Sequence, residues 1–96
     1  MLLDQLRLMN HHLNSLAAQF GASRLRVFGS VARGEETPDS DVDFLVELPR
    51  GYDLFTQRIP LTQGLCDLLK RKVDLLPEHE LSPHVRAKVL AEAVAL

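Results

Sequence analysis

The chain has 96 residues, 46% of them hydrophobic and 25% charged, with a net charge of −2 from 11 basic and 13 acidic side chains. That length allows one modest core and a single domain, residues 1–96, and the apolar content excludes a disordered chain. The mild acidity argues against a general nucleic-acid binder, which carries a basic excess, but a nucleotide stays open as a ligand because a bound metal can neutralise phosphate.

Leu2, Leu6, Met9, Leu13, Leu16 and Phe20 recur at spacings of three and four, which predicts an amphipathic first helix. Gly21 then supplies a C-terminal stop. Asp4, Arg7 and Asn10 interrupt any secretory apolar core, and no run reaches the roughly 20 residues needed to cross a bilayer. A cytoplasmic location with no membrane contact is expected. His11 and His12 are adjacent and diverge on a helix, so they read as solvated side chains.

Arg24–Phe28 reads as a first strand ended by Gly29-Ser30, and Val31–Gly34 as a short helix or turn. Glu35–Ser40 contains Pro38 and reads as a loop. Asp41–Leu48 alternates around Val42, Phe44 and Val46, the pattern of a second strand. Asp53 can cap the helix that follows, and Pro60 forces that helix to kink or restart. The lone cysteine, Cys66, sits among leucines in its continuation and reads as a small apolar residue. Lys72–Leu76 is a third strand closed by Pro77. Ser82-Pro83 signals the start of a last helix, on which Val85, Val89 and Ala93 form one face with Leu90 and Val94 beside it. His79 and His84 fit no zinc spacing and read as loop residues.

The chemistry concentrates between Gly29 and Asp74. Asp41 and Asp43 lie two apart on a predicted strand, so both face one way with Cα atoms about 6.5 Å apart. Facing carboxylates repel unless a cation lies between them, and magnesium prefers oxygen ligands. Asp74 sits alone between Val73 and Leu75 on the next strand. If those strands are neighbours, the three aspartates converge and can hold two metals about 3.5–4 Å apart, which clamps attacking and leaving oxygens in phosphoryl chemistry. The Gly29-Ser30 turn joins a strand to a short helix, where phosphate can approach the backbone and amides favour an anion. Ser30 can add a hydroxyl bond. Arg33 can complement phosphate charge or pair with Glu35, Glu36 or another carboxylate. Ser40 counts among the nucleotide-side candidates, although local bonding that orders the loop is its simpler role. An Asp-x-Asp alone is often a solvated strand edge; the order of the pieces is what carries the signal.

Gly29-Ser30-Val31-Ala32-Arg33-Gly34, Ser40-Asp41-Val42-Asp43 and Val73-Asp74-Leu75, with the less specific Glu92-Ala93-Val94, resemble the minimal nucleotidyltransferase branch of the DNA polymerase β-like nucleotidyltransferases. The resemblance covers the chain from about Leu6 to Leu96. It implies an α+β fold, a two-layer core with a small mixed sheet of about three strands packed against helices. It also implies that Asp41, Asp43 and Asp74 bind Mg²⁺, with Asp74 as general base, and that Gly29 and Ser30 hold the triphosphate. The implied reaction transfers a nucleoside monophosphate, AMP from ATP, to a hydroxyl. In this branch such proteins pair with HEPN-type toxin RNases as antitoxins, and some transfer AMP to a toxin tyrosine. A hetero-oligomer with such a toxin and no direct nucleic-acid binding is therefore expected. A non-catalytic antitoxin that neutralises by binding alone is the alternative.

Overall fold

The computed structural model describes residues 1–96. Helices α1 (Leu2–Leu8) and α2 (Asn10–Gln19) precede strand β1 (Ser23–Phe28) and the short α3 (Ser30–Arg33). Strand β2 (Val42–Glu47), α4 (Ile59–Leu69), β3 (Val73–Pro77), α5 (Pro83–Glu92) and β4 (Val94–Ala95) follow. The sheet order is β3-β2-β1-β4. β1 runs antiparallel to β2 and β4, and β2 runs parallel to β3 through the α4 crossover.

The period-2 pattern of β2 sorts its side chains as expected. Val42, Phe44 and Val46 are fully buried in one cluster with Leu6, Leu13, Val27, Leu61 and Leu65, between the sheet and α1, α2 and α4. Asp43 takes the other face. Gly64 lies inside α4 because Leu16 of α2 packs there: an added Cβ would sit 3.2 Å from its Cδ2. The Gln57 amide group, in the segment just before α4, donates to the carbonyl of Phe20 at the end of α2.

Four departures from the sequence reading stand out. The first helix is two helices, broken at Met9, whose N–H is shared between the carbonyls of Gln5 and Leu6 at 3.2 and 3.1 Å. That bifurcated bond is a tightened turn that no proline or glycine marks. Second, α5 buries no side chain completely, and Val85 is 44% exposed. Arg86 holds this helix by polar links, donating to the backbone carbonyl of Glu78 at 3.2 Å and pairing with its carboxylate at 3.5 Å. Third, α5 ends at Glu92, and Val94 turns extended to pair with Val27 in a fourth strand. Those two residues, with Leu96 N–H bonded to Leu25, occupy what would be an open edge of β1. Fourth, Asp41 lies one residue before β2 rather than on it.

Pro60 acts as anticipated. Asp53 accepts from the N–H groups of Phe55 and Thr56, a wide turn spans Leu54–Arg58, and α4 then starts with Pro60 in its first turn, where its missing N–H costs nothing. At the other end of α4, exposed Lys70 adopts φ 56° and ψ 36°, a left-handed conformation that suits glycine better. Lys70→Gly is expected to stabilise the fold by about 0.5 kcal/mol, raising the melting temperature by roughly 2–4 °C. A thermal melt that moves downward would refute this.

Candidate active site

β1 delivers the chain to its turn at Gly29, and β2 delivers Asp43 beside it: Phe28 is the register partner of Asp43. Gly29 has φ 75° and ψ −152°, backbone that only glycine adopts readily, and a Cβ there would run into the Asp43 carboxylate. The turn and the carboxylate are thus packed against each other. Ser30 opens α3 directly after the glycine.

On the other side, Asp43 and Asp74 are register partners in the parallel β2–β3 pair. Partners on adjacent strands lie about 4.8 Å apart and project from the same face. Asp43 is half-buried and Asp74 exposed. Burial pushes the Asp43 carboxyl above the ordinary carboxylate range; the charges of Asp74 and then Asp41 push further, Arg33 opposes them, and Glu92 adds to the rise. The predicted juxtaposition of the two strand aspartates is therefore present, with Asp41 near enough to act on Asp43 from the loop.

The donor set is all carboxylate, which suits a hard divalent cation. As placed, no three acidic, histidine or cysteine side chains stand close enough to enclose an ion. Asp41 and Asp74 are both exposed.

Of the two roles considered for Arg33, the structure shows the pairing with carboxylates. Its Nε lies 3.3 Å from Glu35, and its Nη1 pairs with Glu92. Glu36 instead accepts from the N–H of Leu2 at 3.3 Å. Ser40 is committed to its loop: its hydroxyl accepts from the N–H of Thr37 at 2.9 Å, and its carbonyl accepts from Arg71. Its local role holds, and it does not reach the turn. His11 and His12 are exposed, and His79 packs edge-on against Tyr52 with ring centroids 6.0 Å apart.

Glu92 was visible in the sequence only as part of a weak closing motif, yet it is built into the site. Its side chain is 17% exposed and accepts from the N–H of Gly29 at 2.9 Å while pairing with Arg33. Burial alone would raise its carboxyl; the Arg33 and Gly29 hydrogen bonds outweigh that and hold it below the ordinary range. No local pattern could signal this, because the contact spans |i−j| = 63 along the chain. The lowered carboxyl means that its contribution to stability is full above the unfolded-state value and is lost as pH falls through the lower folded one. Glu92→Gln can still accept from Gly29, whereas Glu92→Ala leaves that N–H unpaired at a cost of about 1–3 kcal/mol. Amide exchange at Gly29 should therefore accelerate in the alanine variant and stay slow in the glutamine variant. Equal exchange in both would remove Glu92 as the anchor of the turn.

Residues 9–96 match a family described as nucleotidyltransferase domain. Protein adenylyltransferase MntA of Thermococcus cleftensis is 37% identical over 87 residues, covering 91% of this chain and 87% of that protein. A solved structure assigned to the minimal nucleotidyltransferases is 45% identical and superposes with a TM-score of 0.85 over 98% of this chain and 95% of its own. A crystal structure of a toxin–antitoxin with AMP-PNP shares the fold, at 24% identity and a TM-score of 0.72 over 84% of this chain and 66% of that one.

Proposed function

Because the chain belongs to the nucleotidyltransferase domain family, in its minimal nucleotidyltransferase branch, we propose that it transfers AMP from ATP, with magnesium, to a tyrosine hydroxyl of a HEPN-type toxin and so acts as that toxin's antitoxin. In this reading residues 1–96 work as one nucleotidyltransferase domain, in the cytoplasm where ATP is available. The observation that carries it is the pairing of Asp43 with Asp74 beside the Gly29–Ser30 turn. The similar Thermococcus protein, a protein adenylyltransferase, supports the reaction class. The toxin–antitoxin of the same fold, with its AMP-PNP, supports the partner and the nucleotide.

Each residue then has a task. The Gly29 turn lets the β- and γ-phosphates approach the backbone, and the Ser30 hydroxyl donates to one of their oxygens. Glu92 keeps the turn in shape. Asp41, Asp43 and Asp74 would hold magnesium, which when bound offsets their mutual repulsion and polarises the α-phosphate. Asp74, nearest the open edge of the sheet, accepts the proton of the attacking hydroxyl. Ordering the reactants this way contributes much of the rate.

The test mixes the chain with its toxin, magnesium and ATP labelled at the α-phosphate. Label on a toxin tyrosine is the expected result. Complex formation without label would overturn the enzyme reading, and full neutralisation by a chain carrying Asp41→Asn and Asp43→Asn would establish the binding-only antitoxin in its place.

A further inference from the structure

We infer that α5 is a brace for the phosphate-side turn, and that Arg86 is a positioning residue which acts on Gly29 from the far end of this helix through Glu92. This rests on the nucleotidyltransferase reading for the role of the turn and adds what sets the shape of that turn from outside the site.

α5 is pinned at its two ends. In its first turn, Arg86 donates to the backbone carbonyl of Glu78 at 3.2 Å and pairs with its carboxylate at 3.5 Å. Glu78 pairs in turn with Arg26 of β1, a side chain that is almost wholly buried. At the last residue of the helix, Glu92 accepts from the N–H of Gly29 and pairs with Arg33. The two pins match in span. A helix rises about 9 Å from residue 86 to residue 92, and extended chain advances about 10 Å from Arg26 to Gly29. Both pins can therefore hold at once on a straight helix.

Between the pins little supports the helix. Residues 82–88 are all exposed, no side chain of α5 is completely buried, and Ser82 makes no side-chain capping bond. A helix of 10 residues with so little packing is marginal in water, so its order depends on what holds its ends. The turn depends on the helix in the same way. α3 has 4 residues, fewer than a helix that stands alone. Glu92 holds α3 from both sides, through the N–H of the preceding Gly29 and the side chain of its last residue, Arg33. When α5 frays, this one carboxylate leaves, and both supports go with it. The order of α5 and the shape of the turn are thus a single local equilibrium. A nucleotide that needs the turn formed must order the helix by the same factor that the ordered helix favours the nucleotide.

Amide exchange of the full chain is followed by NMR, first free and then with AMP-PNP and magnesium. Arg86→Ala removes the first pin while keeping a strong helix former. Ala87→Gly, at an exposed position between the pins, weakens the helix itself. In both free variants exchange at Val89, Leu90 and Gly29 should accelerate together, about threefold to tenfold, while Phe44 on β2 stays as slow as in the native chain. Arg86→Lys keeps a charge for Glu78 and should restore part of the protection. In the native chain AMP-PNP with magnesium should slow Val89 and Leu90, although neither belongs to the site. Val89 and Leu90 that accelerate while Gly29 does not would overturn the inference. So would equal acceleration at Phe44, which marks global unfolding, or nucleotide uptake that leaves α5 exchange unchanged. Absence of any AMP-PNP and magnesium uptake is a different failure: it removes the nucleotidyltransferase reading, and exchange in the free variants then decides the brace alone.

Discussion

Asp43→Asn is expected to make the metal-free protein more stable while lowering AMP transfer about 10³-fold or more. The two effects have one cause. Asp43 is half-buried, next to Asp74 across the ladder and near Asp41, and its carboxyl is raised by that burial and those charges. A carboxyl whose folded-state value lies above its unfolded one opposes folding once ionised. Without metal, therefore, stability declines as pH rises through the window just above the ordinary carboxylate range, and the cost is fully present at neutral pH. Asparagine keeps the shape and removes the charge. Solvent screens much of the effect at a half-exposed group, so the gain should be a rise in melting temperature of roughly 2–4 °C. Melts in EDTA at neutral pH and again below the carboxylate range separate charge from packing, since the advantage of asparagine should shrink on acidification. In magnesium and AMP-PNP the order should invert, because only the native protein gains stability from binding. An asparagine variant that melts lower in EDTA would show that Asp43 carries no such burden.

The sequence foretold most of the elements because each carried its own signal: the period-2 pattern of Val42, Phe44 and Val46, the cap at Asp53, the proline after Ser82. It foretold the facing of Asp43 and Asp74 as well, since an isolated aspartate between apolar strand neighbours must leave the core. What it could not foretell depends on tertiary contact. β4 is two residues long, too short for any periodicity, and exists because β1 has an edge to fill. Glu92 joins the site only because that strand turns the end of α5 toward Gly29. Val85 and Val89 share one face of the last helix, yet Val85 is 44% exposed, since α5 is held by Arg86 and Glu92 rather than by apolar packing. The number of strands and the anchor of the turn thus come from the same unforeseen pairing of the last residues with β1.

Gly29→Ala should abolish AMP transfer and cost more stability than any surface change. Two penalties add at this position. The backbone at φ 75° and ψ −152° belongs to glycine, and a side chain there costs about 1–3 kcal/mol. The new methyl would also overlap the Asp43 carboxylate, which is backed by the strand and cannot retreat without leaving its partner Asp74. For a domain of this size the expected fall in melting temperature is roughly 10 °C or more. Gly34→Asn is the contrast. Gly34 sits in the ordinary left-handed region at φ 73° and ψ 24°, which asparagine tolerates, and the nearest atom to its added Cβ is the flexible tip of Met1. That variant should melt within a few degrees of the native chain and still bind AMP-PNP with magnesium. If Gly29→Ala binds the nucleotide as well as Gly34→Asn does, then the turn does not hold phosphate, and the proposed placement of the triphosphate is wrong.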